Sequence, residues 1–358
     1  MKYPEILSFE DALQRLDQFD AIIDVRSPSE YALDHLPGAI NCPVLDDEQR
    51  IKVGTMYKQV NSFEAKKVGA ALVAKNIGTH LEELWLDKPR DWKPLIYCWR
   101  GGNRSGSMAH VLAKVGWPVV QLDGGYKAFR NHVNAALEQA PALSFKVICG
   151  TTGTGKSRLL ETLHSIGAQV LDLEQLAAHR GSVLGDLPSQ PQPTQKAFET
   201  RIWGALRKFD PARPVFVESE SKKVGQLRVP AALMDAMRAS PCISLQLSRA
   251  NRVRLLMEDY AHFTTSPESL NEQLAHLTQM HGHERIERWQ QMARGGEMAQ
   301  LVEELLINHY DPAYVRSIDR NFVKFNEAEV VTLDDIAPAD FEAAARHLHA
   351  GHPASKGV

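Results

Sequence analysis

The feature that most constrains the fold is the segment FKVICGTTGTGKSRLLETLHSIG, residues 145–167. An apolar run ends at a glycine-rich loop, and a helix-forming run begins directly after that loop. The loop fits the pattern G-x-x-x-x-G-K-[ST] from Gly150 to Ser157. A strand, a glycine loop and a helix in this order place backbone N–H groups around an anion at the edge of a parallel sheet. The chain is therefore expected to contain a parallel α/β domain.

This glycine loop, a P-loop, predicts a diphosphate site. Its amides would wrap the diphosphate, Lys156 would neutralise it, and Ser157 could ligate Mg²⁺. The predicted diphosphate-binding residues are Gly150, Thr151, Thr152, Gly153, Thr154, Gly155, Lys156 and Ser157. A later strand, PVFVESES, ends near Glu218 and Glu220, which could supply the acidic groups on the metal side of the site or could simply be solvated. No motif specific for a nucleotide base is present, so occupancy by ATP or GTP stays open.

The length of 358 residues favours two domains. Short β-branched runs alternate with helical stretches in residues 1–140, and the alternation restarts at residue 145. Alternation of this kind predicts parallel sheets covered by helices. We expect one α/β domain over residues 1–140 and a P-loop α/β domain over residues 141–358. The best candidate linker is the segment NAALEQAPALS, and residues after about 250 are predicted to be strongly helical.

Composition narrows the class of protein. The chain has no apolar run long enough to span a bilayer, and acidic residues interrupt its first twenty residues, which predicts a cytoplasmic protein without a membrane partner. The four cysteines, Cys42, Cys98, Cys149 and Cys242, are too widely spaced for a disulfide framework or a zinc site. We expect no tightly bound cofactor.

A second anion loop lies in YCWRGGNRSGSMA, residues 97–109. The apolar run before it places Cys98 at the carboxyl end of a strand, and a helix begins near Arg104. Amides at a helix N-terminus bind anions and lower the pKa of a thiol. Cys98 and Arg104 are therefore the predicted catalytic residues, and the remaining anion-loop residues are Arg100, Gly101, Gly102 and Asn103.

The first domain resembles the rhodanese family, on motifs beyond this loop. The stretch IDVRSPSEYALDHLPGAINCPV (residues 23–44) is similar to the first rhodanese signature, and LDGGYKAFR (122–130) is similar to the closing glycine motif. The Cys-x5-Arg spacing is one residue longer than in ordinary sulfur-transferring members. Loops of this length, as in dual-specificity phosphatases, surround a tetrahedral phosphate-like group.

A rhodanese-like domain ahead of a P-loop domain resembles the tRNA 2-selenouridine synthase family. Further stretches that carry this resemblance are DLEQLAAHRGSVLG (172–185), QPTQKAFE (192–199) and FVESESKKVG (216–225). The resemblance implies conversion of 2-thiouridine to 2-selenouridine at the wobble position of tRNA in two steps. Geranyl diphosphate first alkylates the sulfur, and selenium from selenophosphate then replaces the geranylated sulfur. On this interpretation Cys98 would receive selenium as an S-selanylcysteine while Arg104 holds the departing phosphate portion.

A basic segment supplies the expected tRNA surface. Residues 196–254 hold twelve Lys or Arg against five acidic residues, although the whole chain has a net charge of −3. Neutralising phosphates provides most sequence-independent affinity for nucleic acid. The predicted tRNA contacts are Lys222, Lys223, Arg249, Arg252 and Arg254. The anticodon loop would offer its base without disruption of a duplex.

Two other interpretations stay open at the level of sequence. One is a phosphatase or thiosulfate sulfurtransferase with an ATP-binding regulatory domain, which the Cys-x5-Arg spacing permits. The other is a P-loop kinase or a nucleotide-dependent RNA-binding module whose N-terminal domain is inert.

Overall fold

The protein is described by a computed structural model that covers residues 3–182, 185, 187, 190–261 and 267–350. The chain divides into two compact units. Unit 1 contains residues up to Ala136 together with Pro193–Gly204, and unit 2 contains Leu137–Gln192 and the chain from Ala205 onward.

Unit 1 is built on a five-stranded parallel sheet. Its strands are β1 (Glu5–Leu7), β2 (Ala21–Asp24), β3 (Ala39–Asn41), β4 (Pro94–Tyr97) and β5 (Val120–Leu122). The order is β1-β5-β4-β2-β3. The helices are α1 (Phe9–Leu13), α2 (Pro28–Leu33), α3 (Asp47–Gln59), α4 (Ser62–His80), α5 (Asn103–Val115) and α6 (Gly125–Leu137), with a π-helical turn at Leu81–Trp85. All of β4 is buried, as expected for a parallel strand with both faces covered.

Unit 2 holds a second five-stranded parallel sheet. Its strands are β6 (Phe145–Cys149), β7 (Gln169–Leu171), β8 (Val215–Glu218), β11 (Cys242–Leu247) and β12 (Glu329–Leu333), and a separate small hairpin pairs β9 (Lys223–Val224) with β10 (Leu227–Arg228). The order of the large sheet is β12-β11-β6-β8-β7. The parallel-sheet α/β class predicted from the sequence is confirmed in both units.

The remaining helices of the chain belong to unit 2, where they cover the sheet and form the C-terminal region, except for the helix Gln195–Leu206, which lies mostly in unit 1. They are α7 (Lys156–Ser165), α8 (Leu173–Ala177), α9 (Gln195–Leu206), α10 (Ala231–Arg238), α11 (Arg249–Asp259), α12 (Pro267–Ala275), α13 (Thr278–His281), α14 (His283–Gly295), α15 (Met298–Leu305), α16 (Asp311–Asn321) and α17 (Pro338–Ala350), with a π-helical turn at Leu306–Tyr310. Helices α12, α14 and α15 enclose their own apolar cluster around Trp289 and Leu301. Among the described residues no helix is both long and apolar enough to cross a bilayer.

The helical region predicted after about residue 250 is confirmed, and among the described residues it contains one strand, β12. It pairs in parallel with β11 over five residues, from Ile243 opposite Glu329 to Leu247 opposite Leu333. Val331 and Leu333 point into the core of unit 2, while Val330 is exposed at the sheet edge. A short edge strand of this kind has too few residues to stand out between helical segments.

Helix α9 lies late in the sequence, but its residues up to Gly204 belong to unit 1. Thr200 Oγ1 donates to a carboxylate oxygen of Asp34 at 3.0 Å. Arg130 donates to the Lys196 carbonyl at 3.0 Å and forms an ion pair with Glu199. The basic segment predicted as one tRNA surface is therefore divided between the two units.

Candidate functional site

The Cys98 loop is the first candidate site, and it lies wholly within unit 1. Cys98 follows the last residue of β4, is 3% exposed, and begins the turn into α5. The Tyr126 N–H donates to the Cys98 carbonyl at 2.8 Å, and a Cβ at Gly125 would overlap that same oxygen. The closing glycine motif is thus the surface on which the loop is packed, and a side chain at Gly125 would displace Cys98.

Hydrogen bonds converge on the Cys98 sulfur. Ser105 Oγ donates to Sγ at 3.2 Å, and the backbone N–H groups of Arg100 and Ser105 also donate to it. Burial by itself would raise the pKa of Cys98, but these hydrogen bonds and the positive charge of Arg104 outweigh burial and lower it. Gln121 Nε2 in turn donates to Ser105 Oγ at 3.2 Å and to the Gly101 carbonyl at 2.6 Å. The loop therefore favours a thiolate.

Arg104 lies beside the loop and is held by an acidic partner that the sequence did not reveal. Its guanidinium donates to both carboxylate oxygens of Glu30, at 2.6 and 3.2 Å. Arg50 is 3.9 Å from the same carboxylate. Burial would raise the pKa of Glu30, but the hydrogen bond and charge of Arg104, the Ser27 N–H and the charge of Arg50 together outweigh burial and lower it. Glu30 thus orients Arg104 at the helix N-terminus, where its charge reaches Cys98.

The rest of the loop is open to solvent. Arg100, Gly102 and Asn103 are exposed, and Gly101 has a left-handed φ of +66°. Trp99 is 37% exposed, and its ring lies 5.3 Å from that of Tyr126. A ligand can therefore approach the loop amides from outside.

The second candidate site is the glycine loop of unit 2, which joins β6 to α7 as predicted. Gly153 and Gly155 have φ values of +80° and +84°, and a Cβ at either would collide with Leu256 or Phe341. Lys156 Nζ donates to the Gly150 carbonyl at 2.9 Å, which closes the loop. The arrangement places the amides at the N-terminus of α7, where helix polarity favours an anion.

Acidic side chains gather beside this loop at the ends of β7 and β8. One oxygen of each of Glu174, Glu218 and Glu220 lies within 4.8 Å of the others. Ser157 Oγ donates to Glu174 at 3.0 Å, which connects the cluster to the end of the glycine loop. Hard oxygen ligands of this kind suit Mg²⁺. Ser157, Glu218 and Glu220, which the sequence assigned to one site, thus lie close together in unit 2.

The burial of Glu218 tests whether this cluster fits a cation. Among the described residues, neither of its carboxylate oxygens has a hydrogen-bond partner, and both are buried. Burial first, and the negative charges of Glu174 and Glu220 second, raise the pKa of Glu218 well above its ordinary value. Burial and Glu174 also raise the pKa of Glu220. A divalent cation would supply the positive charge that these oxygens lack.

The glycine loop and the carboxylate cluster line one cavity of about 620 Å³. Lys156, Arg158 and Arg180 contribute positive charge to the wall that the carboxylates also line. This volume is within the range of small-molecule sites. The stretch DLEQLAAHRGSVLG contributes Glu174 and Arg180 here, although Val183 and Leu184 lie outside the described residues. The position of this stretch directly after a strand indicates a ligand-binding loop, but the sequence did not single out Glu174.

The C-terminal helical region also supports the glycine loop, which local sequence patterns do not predict. The Gly150 N–H donates to the hydroxyl of Tyr314 in α16. Arg252 donates from Nε to the Thr152 carbonyl at 2.8 Å and forms a two-pronged ion pair with Asp311, at 3.0 and 2.5 Å. These interactions connect the glycine loop to α11 and α16.

The prediction that Arg252 contacts tRNA is corrected by these interactions. Its side chain is 7% exposed, and its guanidinium is occupied by Thr152 and Asp311. The other predicted tRNA residues lie at the surface: Lys222, Lys223, Arg249 and Arg254 are exposed. Arg254 forms a surface ion pair with Asp335 at 2.8 Å. These four exposed side chains remain available to bind a polyanion.

Comparisons with known families match the two halves of the chain. A Rhodanese-like domain matches residues 8–132, and a tRNA 2-selenouridine synthase AAA domain matches residues 143–331. Among solved structures, a rhodanese-related protein from Thermoplasma volcanium is 20% identical, covering 36% of this chain and 93% of that chain with a TM-score of 0.24.

Curated relatives match over longer stretches. A tRNA 2-selenouridine synthase from Nitrosomonas europaea is 38% identical over 247 residues, and the match covers 67% of this chain and 63% of that relative. A tRNA 2-selenouridine synthase from Shewanella halifaxensis is 30% identical over 329 residues, covering 84% of this chain and 89% of that relative. The chain belongs to the tRNA 2-selenouridine synthase family.

Proposed function

We propose that the protein converts 2-thiouridine to 2-selenouridine at the wobble position of tRNA by geranylation with geranyl diphosphate followed by selenation with selenophosphate. The proposal rests on family membership. The observation that carries it is that the chain combines a thiol loop that favours the thiolate with a diphosphate-type loop beside a buried carboxylate cluster. The two loops suit the two anionic donors that the reaction needs.

In the first step the sulfur of 2-thiouridine attacks C1 of geranyl diphosphate. A C–S bond forms, the C1–O bond breaks with its electron pair leaving on diphosphate, and the proton at N3 of the base is lost to water. The amides at the N-terminus of α7 and the Lys156 ammonium hold the diphosphate as its charge grows. Ser157 and the three glutamates would hold Mg²⁺, which when bound neutralises part of that charge.

In the second step selenium replaces the alkylated sulfur. The selenium of selenophosphate forms a bond to C2, the C2–S bond breaks, and the sulfur takes a proton to leave as geranyl thiol. The base then carries a Se–P bond. Alkylation is useful here because a neutral thiol is a better leaving group than sulfide.

Cys98 could attack either selenium or phosphorus, and the two roles differ in which atom keeps the Se–P electron pair. An S-selanylcysteine formed from selenophosphate would leave the Se–P electron pair on phosphorus, so phosphite would be released and a further thiol would be required to free the selenium. Attack of the Cys98 thiolate on phosphorus instead releases 2-selenouridine directly, and water then hydrolyses the phosphocysteine to phosphate. We therefore assign Cys98 to phosphorus, with Arg104 and the loop amides binding the phosphoryl oxygens.

The test is mass spectrometry of nucleosides from tRNA incubated with geranyl diphosphate, selenophosphate, both or neither. Geranyl diphosphate alone should give S-geranyl-2-thiouridine, and only the pair should give 2-selenouridine and inorganic phosphate. Formation of 2-selenouridine from selenophosphate alone would contradict the order of steps, and release of phosphite would restore the S-selanylcysteine.

A further inference from the structure

A second, apolar cavity adjoins the cavity of about 620 Å³ that the glycine loop of unit 2 lines. Helices α11, α12 and α15 and the π-helical turn at Leu306–Tyr310 enclose it, and its volume is about 50 Å³. Five residues line both cavities: Thr152, Ser182, Leu256, Tyr260 and Tyr310. Because Thr152 belongs to the glycine loop, the apolar cavity directly adjoins the site proposed for the diphosphate.

The walls of this cavity exclude a polar ligand group. Beyond the shared rim its lining is aliphatic, from residues such as Met257, Leu270, Met298, Leu301 and Val302, and none of the described side chains that line it is charged. At the rim, the hydroxyls of Ser182 and Tyr260 lie 3.4 Å apart and can satisfy each other. A ribose or a nucleobase placed here would lose its hydrogen bonds to water without replacement, which is unfavourable.

We infer that the prenyl chain of the diphosphate substrate enters this cavity from the side of Thr152. This inference rests on the proposed function and locates its prenyl group, for which the glycine loop alone carries no information. It also assigns a role to α15, whose inner face would contact substrate in addition to packing against α14.

The cavity must enlarge before it can hold a prenyl chain. An engineered apolar cavity of about 150 Å³ admits benzene, so 50 Å³ holds a prenyl chain only if side chains rearrange. Met257 and Met298 are unbranched and can change rotamer at small cost. We expect a ten-carbon chain to bind better than a five-carbon chain, since it buries more apolar surface.

The test is calorimetric titration of the full chain with inorganic diphosphate, dimethylallyl diphosphate and geranyl diphosphate, each with Mg²⁺. The wild-type protein should bind geranyl diphosphate at least tenfold more tightly than inorganic diphosphate, which corresponds to about two or more buried CH₂ groups. Val302→Trp fills the cavity from α15 and should remove this preference while inorganic diphosphate binds within about twofold of wild type. Val302→Ala should keep the preference.

A second filling variant, Met257→Trp on α11, gives the same readout from another wall if Val302→Trp does not fold. Equal wild-type affinity for geranyl and inorganic diphosphate would overturn the cavity assignment and leave the diphosphate site intact. So would a preference for geranyl diphosphate that survives in a folded filling variant. Failure of the wild-type protein to bind either ligand would overturn the proposed diphosphate site as well.

Discussion

Ser105 donates a hydrogen bond from its hydroxyl to the sulfur of Cys98 at 3.2 Å, across the first turn of α5. This hydrogen bond stabilises the thiolate and lowers the pKa of Cys98, whereas burial of the sulfur raises it. Ser105→Ala should raise the pKa of Cys98, so the pH at which iodoacetamide alkylation reaches half its maximal rate should move upward. At pH 7 we expect the alkylation rate to fall about tenfold, because a hydrogen bond to a charged group contributes about 1.5–3 kcal/mol.

Ser107→Ala is the matched control, because Ser107 lies in the same helix and its hydroxyl donates to the Asn103 carbonyl. Its alkylation profile should match that of wild type. An unchanged profile in Ser105→Ala would mean that the backbone amides and the charge of Arg104 lower the pKa of Cys98 without the Ser105 hydroxyl.

The buried carboxylate cluster predicts a Mg²⁺ requirement. Glu218→Gln keeps the shape of the side chain and removes its negative charge, so the half-saturating Mg²⁺ concentration for S-geranyl product formation should rise at least tenfold. Glu303→Gln, on an exposed position of α15, should leave it unchanged. Equal Mg²⁺ dependence in Glu218→Gln and wild type would exclude Glu218 as a ligand.

The exposed basic residues of unit 2 predict a salt-sensitive tRNA surface. The variant with Lys222→Glu, Lys223→Glu and Arg249→Glu should bind tRNA more weakly. Its plot of log affinity against log salt should flatten by about 0.7–0.9 for each tRNA phosphate that the variant no longer neutralises. Arg252 is left intact, because its removal would disturb the glycine loop through Thr152.

Charge reversal at Arg346 provides the comparison for that variant. Arg346 lies on α17 and is 72% exposed, so Arg346→Glu changes net charge without touching the basic segment. If Arg346→Glu and the triple variant lower the slope equally, tRNA does not bind at Lys222, Lys223 and Arg249.

Local sequence patterns are sufficient to predict those parts of the two candidate sites that are contiguous in sequence. The strand, loop and helix around Lys156 are encoded within about twenty residues, and so is the turn from Cys98 into α5. Each combines an apolar run, glycines and a helix start, whose structural consequences are largely local.

Partners from distant segments cannot be found in this way. Glu30 contacts Arg104 across 74 positions, Asp311 contacts Arg252 across 59, and Tyr314 contacts Gly150 across 164. Periodicity does not specify which helix packs over which loop. For the same reason the sequence alone suggests a surface position for Arg252, since its place on α11 does not reveal the burial that Asp311 and Thr152 impose.

The most direct test of two separate sites is nucleoside mass spectrometry after incubation of tRNA with both donors and one of two variants. Lys156→Ala should leave 2-thiouridine unchanged, because the diphosphate donor is not held. Cys98→Ser should stop after geranylation, at the S-geranyl or the Se-phosphorylated base. Wild-type rates of 2-selenouridine formation by Cys98→Ser, or of S-geranyl product formation by Lys156→Ala, would contradict the two-site mechanism.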